Sequence, residues 1–154
     1  ENININSSNS DEGEVIPAEN DPEEQAYQEI KDEFGFDPVR PNYLPDGTEF
    51  EECVFMDDKK EVFLLYSVKG RILEYRIYPS LRNKSIGYDV EDELINEEEI
   101  TVSGIQISIQ SRKIKDSDKI IFIAQFNYKN VVYVLQTQES WEETQEILKN
   151  LNFF

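Results

Sequence analysis

Two apolar stretches, 120–126 and 131–135, parted by Tyr128-Lys129-Asn130 and followed closely by a helix start at Ser140, constrain this chain more than anything else in it. A connection that short between two strands forces an antiparallel hairpin, and the helix behind it has to fold back onto the pair. Ser140 reads as the N-cap, with Glu143 three residues on in a capping-box arrangement. Trp141, Thr144, Leu148 and Leu151 then follow at helical spacing and make one apolar stripe. A tryptophan packed there against the sheet, if wholly enclosed, predicts a loss of about 3–5 kcal/mol on truncation to alanine.

The rest of the chain reads as more sheet. Strands are expected over 48–57, 61–68, 71–79, 94–102, 105–113, 118–127 and 131–138, joined by short polar connectors such as Lys69-Gly70 and Ser103-Gly104. One connector is long: residues 80–93 are polar and acidic, and should cross an edge or end of the sheet. Ahead of the strands a first helix should start at Asp21, with Pro22 at its first position and Glu24 as capping-box partner. Its buried stripe is Ala26, Tyr27, Ile30 and Phe34, and Gly35 closes it. Pro38, Pro41 and Pro45 then interrupt regular structure, and Pro45-Asp46-Gly47 is a turn. The fold expected is α+β: an antiparallel meander sheet of about seven strands with an N-terminal and a C-terminal helix packed on it.

Residues 1–20 show neither helical nor strand periodicity and read as a disordered acidic linker, which leaves 21–154 as a single domain. The chain carries a net charge of −18, and residues 1–30 hold half of it with nine acids and no Lys or Arg. Such a chain repels phosphate backbones and anionic headgroups, so no nucleic acid is expected as partner, and no membrane surface except through an anchor. The sequence begins at Glu1 and its only methionine is Met56, so an upstream part with room for a signal or membrane anchor is expected.

Chemistry is hard to find. With no histidine there is no Ser-His-Asp triad, no histidine-based zinc site and no imidazole base. No phosphate-cradling glycine motif is present. The single cysteine, Cys53, lies beside Glu51 and Glu52, which would raise its pKa, so it reads as an inert buried thiol and not a nucleophile. Asp89, Glu91, Asp92 and Glu93 match a calcium loop in charge but lack its spacing, and Gly87 stands on the wrong side. A solvated loop is the better reading. No cofactor, no metal and no catalytic residue is assigned, and the protein is not expected to be an enzyme.

Alternation divides the strands into two kinds. Around Leu73, Tyr75 and Ile77, and in Ile105, Ile107 and Ile109, every second residue is apolar, as in a strand with one wet face. Residues 62–66, 120–126 and 131–135 are apolar at both parities, so their second face needs a cover. That face is carried by Ile121, Ile123, Val132 and Val134, the candidate surface for a partner, a ligand or the first helix. Tyr66, Tyr75, Tyr78, Tyr128 and Tyr133 either pack on the pleated surface or form a recognition patch.

Three motifs in order, Pro41-Asn42-Tyr43-Leu44-Pro45-Asp46-Gly47, Val102-Ser103-Gly104-Ile105 and Val132-Tyr133-Val134-Leu135 before a helix with Glu143 and Leu148, give the chain a family resemblance. Over about 38–152 it resembles the bacterial domain-of-unknown-function family 4367. A glycine that often follows the Tyr-x-Leu strand in that family is replaced here by Gln136-Thr137-Gln138. The resemblance implies an extracytoplasmic domain of a Gram-positive bacterium, membrane-anchored or secreted, and no known activity. Two functions are expected from these readings. One is a non-catalytic sensor or interaction domain whose partner is a protein or envelope component. The other is a carrier of a small apolar ligand such as a lipid, held in a groove between sheet and helix.

Overall fold

The first helix, α1 (Pro22–Phe34), begins where its cap dictates: the Asp21 carboxylate accepts from the backbone N–H groups of Glu23 and Glu24. It ends at Gly35, whose φ of 81° is the left-handed closure that glycine adopts without strain. This is a computed structural model, and it describes residues 21–79 and 93–153. The expected tail 1–20 and most of the 80–93 connector lie outside the described residues.

After α1 the described chain forms β1 (Arg40–Pro41), β2 (Thr48–Met56), β3 (Glu61–Val68) and β4 (Arg71–Tyr78). Then come β5 (Glu93–Val102), β6 (Ile105–Lys113), β7 (Ile120–Tyr128), β8 (Val131–Thr137), α2 (Trp141–Lys149) and β9 (Leu151–Asn152). Strands β2 to β8 form the seven-stranded antiparallel sheet of the expected α+β fold. The two-residue hairpin turns have positive φ at both central positions: Lys69-Gly70, Ser103-Gly104 and Lys129-Asn130. That is the geometry whose twist matches the flanking strands.

The sheet order is β2-β3-β4-β8-β7-β6-β5. Two meanders thus run toward each other, and β4 pairs with β8, not with β5, which lies at the far edge. Two further pieces lay outside sequence expectation: β1 and β9 pair as a small separate sheet, Arg40 opposite Asn152 and Pro41 opposite Leu151. Two residues apiece are too short to show a period.

Both helices supply one core with the same face of the sheet. Ala26, Tyr27 and Ile30 of α1 and Ile147 and Leu148 of α2 share a cluster with Leu64, Tyr66, Leu73, Tyr75, Ile107, Phe126, Tyr133 and Leu135. Phe126 lies opposite Tyr133, and their rings stack 4.9 Å apart. The stripe of α2 differs in detail from its spacing: Ile147 is wholly buried, whereas Trp141 is half-buried and leans on Phe122 at 5.5 Å. Trp141 occupies the first turn of α2, at the rim of the covered area.

Both capping boxes are half made. Glu24 pairs with Arg40, and the Glu143 carboxylate accepts from the Tyr43 hydroxyl at 2.7 Å, each in place of the return bond to its own N-cap. Among the described residues no helix is long and apolar enough to cross a membrane.

Burial ranks the consequences of truncation. Ile30→Ala, at a site with no solvent exposure, is expected to lower unfolding free energy by about 2–5 kcal/mol, and Trp141→Ala, at a partly buried site, by about 1–3 kcal/mol. Urea titrations of the two variants check the order: a larger loss at Trp141 than at Ile30 contradicts this placement.

Candidate functional site

Register places every residue of the sheet on one face or the other, because directly opposed residues point the same way. The row Glu97, Gln110, Ile123, Gln136 and Glu74 runs across five strands on the face away from the helices. The next row on that face is Glu99, Ser108, Gln125, Val134 and Arg76. The four candidate residues therefore do share a face, and the first helix does not cover it, since α1 packs on the opposite side. Ile121, Ile123 and Val134 are buried, with 3–4% exposure, in a small second cluster with Tyr78, and Val132 is half-buried beside them. They fill a satellite core and present little open surface.

The open concavity of this face lies next to them, over β5, β6 and β7. It is a trough of about 970 Å³. Glu97, Glu99 and Thr101 of β5 form one wall, Gln106, Ser108 and Gln110 of β6 run along the floor with Ile123, and Gln125 and Asn127 of β7 form the other side. The Gln110 amide donates to Glu97 at 2.8 Å, and the Asn96 amide donates to Glu98 at 3.0 Å. β5 is exposed from Glu93 to Glu99, including Leu94 and Ile95 at a break in register. The signal for this site was in the sequence: residues 85–111 contain seven acids and no base, and Glu97-Glu98-Glu99 falls within a strand. Its depth was not, because depth depends on which strands become neighbours.

The titratable groups with clear perturbation lie elsewhere. Burial pushes the hydroxyls of Tyr27, Tyr66 and Tyr75 well above the ordinary tyrosine value, and pushes Tyr133 up to about 12. These are structural groups. Tyr66 donates to Glu23 of α1 at 2.7 Å, Tyr75 donates to the Val39 carbonyl at 2.6 Å, and the Val39 N–H donates to the Tyr133 hydroxyl at 3.1 Å. Tyr43, held by Glu143, is also raised to about 12. Of the five tyrosines weighed as core or recognition groups, Tyr66, Tyr75 and Tyr133 are core, Tyr78 joins the second cluster, and Tyr128 meets Phe153 edge-on.

Burial is also the main reason why the half-buried Cys53 thiol is pushed up to about 11; the acid that adds to it is Glu29 of α1, where Glu51 and Glu52 were expected. The helix brings that charge over β2, a neighbour that chain order does not reveal. Among the described residues no three His, Cys, Asp or Glu side chains converge to hold a metal ion. Asp89, Glu91 and Asp92 lie outside the described residues, and Glu93 opens β5.

What fold and site define is an α+β domain with helices on one face of its sheet and a polar trough on the other. The chain belongs to the family described as Domain of unknown function (DUF4367), whose model matches residues 38–151. No curated protein matches it. The matched residues begin after α1, although Ile30 of that helix is wholly buried in the shared core.

The core tyrosines set an alkaline limit. Each hydroxyl holds its proton more tightly folded than unfolded, so the stability it contributes is complete below the unfolded value near 10.0 and is lost as pH rises through the folded one, about 12 for Tyr133. The urea midpoint should be level below about pH 9 and fall steeply above about pH 10. Tyr75→Phe should lower the unfolding free energy by about 1–2 kcal/mol at neutral pH, through the lost bond to Val39, and flatten the alkaline fall of the midpoint. An unchanged alkaline slope in that variant would count against the assignment.

Proposed function

We propose that this is a non-catalytic binding module of an extracytoplasmic protein, membrane-anchored or secreted, in a Gram-positive bacterium. It recognises a protein or envelope component and, as a sensor, passes on its bound state through the attached segment. The observation that carries the reading is the division of labour across the sheet. The side chains whose titration is displaced by burial sit in the core beneath α1, where they tie backbone and helix together. The open concavity on the other face is lined by amides, hydroxyls and carboxylates from three strands, groups suited to hydrogen bonding a partner.

The composition of residues 1–20, with five acids and no Lys or Arg, supports the same reading, since a charged polar sequence suits a spacer between an anchor and a folded domain. The lipid-carrier alternative needs free volume between sheet and helices. That layer holds Ile30, Leu64, Tyr66, Tyr75, Tyr133 and Ile147, each with less than 2% exposure, and such packing favours a solid core over a pocket.

Location is tested by adding protease to intact protoplasts that make the full-length protein. Digestion of the domain without lysis is the expected result; protection until the cells are broken would sink the extracytoplasmic reading. Native mass spectrometry of the purified chain separates the two functions. The bare polypeptide mass is expected, and a stoichiometric lipid adduct would replace the binding module with the carrier.

A further inference from the structure

We infer that the trough beside β5 is a docking groove for an extended, Lys- or Arg-bearing polypeptide segment. This rests on the binding-module reading and gives its partner a chemistry. The β6–β7 ladder stops at Ser108 opposite Gln125. Beyond that point the β5–β6 hairpin continues to Val102 opposite Ile105, and the β7–β8 hairpin continues to Tyr128 opposite Val131. The two hairpins therefore fork. Residues 105–107 of β6 and 126–128 of β7 have inner backbone edges with no ladder between them, and the trough opens over this fork.

An unpaired strand edge offers its N–H and C=O groups in the spacing of another extended backbone, which is the basis of strand addition by peptides. A small ligand has no matching row of groups. The charge of the occupant follows from the wall. Glu97 and Glu99 project on the trough face, Glu98 is their neighbour, and no Lys or Arg lines the concavity. Among the described residues none of the three is in an ion pair; the polar partners they have are amides.

Complementary charge sets partner choice and encounter rate more than affinity, so a cationic segment is selected and an acidic one refused. The chain's own residues 1–20, with five acids and no base, are refused on the same ground. The competing account of the glutamates is protective. Charged residues and a bulge on an edge strand discourage pairing with another chain, and β5 has both. That account covers the outer edge of β5 and leaves the inner fork unexplained.

The test titrates the full chain with a labelled peptide of alternating lysine and threonine, its glutamate–threonine counterpart, and spermine, read by anisotropy and by backbone amide NMR. The lysine peptide is expected to bind, with amide shifts at 105–107 and 126–128. Glu97→Gln with Glu99→Gln should weaken it about tenfold, and Glu49→Gln with Glu52→Gln, on the opposite edge strand, should leave it unchanged. All four glutamates are exposed, so the variants keep the fold.

Equal weakening by both pairs would reduce the effect to diffuse attraction to an acidic protein and overturn the groove. So would shifts confined to 93–99, equal binding of the acidic peptide, or spermine producing the same amide shifts. No binding at all leaves Glu97 and Glu99 as edge guards. If the peptide fails while protease reaches the domain on protoplasts, only the groove falls; if protease does not reach it, the extracytoplasmic reading falls whatever the peptide does.

Discussion

Both backbone polar groups of Val39 are held by tyrosine hydroxyls: Tyr75 donates to its carbonyl and its N–H donates to Tyr133. Much of the helix-covered face depends on that pair of bonds. The segment leaving α1 crosses the apolar face of the sheet, and Val39 is buried there with 1% exposure. A backbone buried without partners loses about 1–3 kcal/mol for each unsatisfied group. Two tyrosines from adjacent central strands meet the need while their rings stack, 6.0 Å apart, as part of the core. Proline on one side of Val39 removes a further donor that would have needed a partner.

With Val39 pinned, its neighbours fall into place. Arg40 lies 4.0 Å over the Tyr27 ring and pairs with Glu24, which draws the first turn of α1 onto the sheet. Arg40 and Pro41 pair with Asn152 and Leu151, so the strand after α1 and the strand after α2 close on each other. Tyr43 reaches Glu143 at the start of α2. A helix that precedes the family's matched residues is in this way built into the same core as the last helix. The consequence is an asymmetric sheet, with both helices spent on one face and the polar trough left on the other.

Local signals were legible wherever they need only a few consecutive residues. Asp21, Ser140 and Gly35 cap their helices as spacing predicts, because a cap is a bond within one turn of chain. Alternation placed the seven strands to within a residue or two, and correctly put Ile121, Ile123, Val132 and Val134 on one face. It could not say that three of them would be buried in their own cluster. It missed Ile147, which lies one position before Leu148 and shares its burial, and it overvalued Trp141, whose place in the first turn leaves it at the rim. Glu24 and Glu143 sit at capping-box positions by sequence yet turn to Arg40 and Tyr43, because charge and hydroxyl partners from distant segments compete with a weak local bond.

The sequence alone determined the element types, the hairpin turns, the two helix starts and the base-free acidic run that became the wall of the trough. These follow from side-chain period, from the φ preferences of residues such as Gly70 and Gly104, and from charge counted along a line. Tertiary structure decided that β8 joins β4, that both helices take the same face, and that the β5–β6 and β7–β8 hairpins part beyond Ser108 and Gln125. Each of these is a choice between pairings of similar local quality. It is settled only when buried area, register and the partners of every backbone group are satisfied together across residues far apart in the chain.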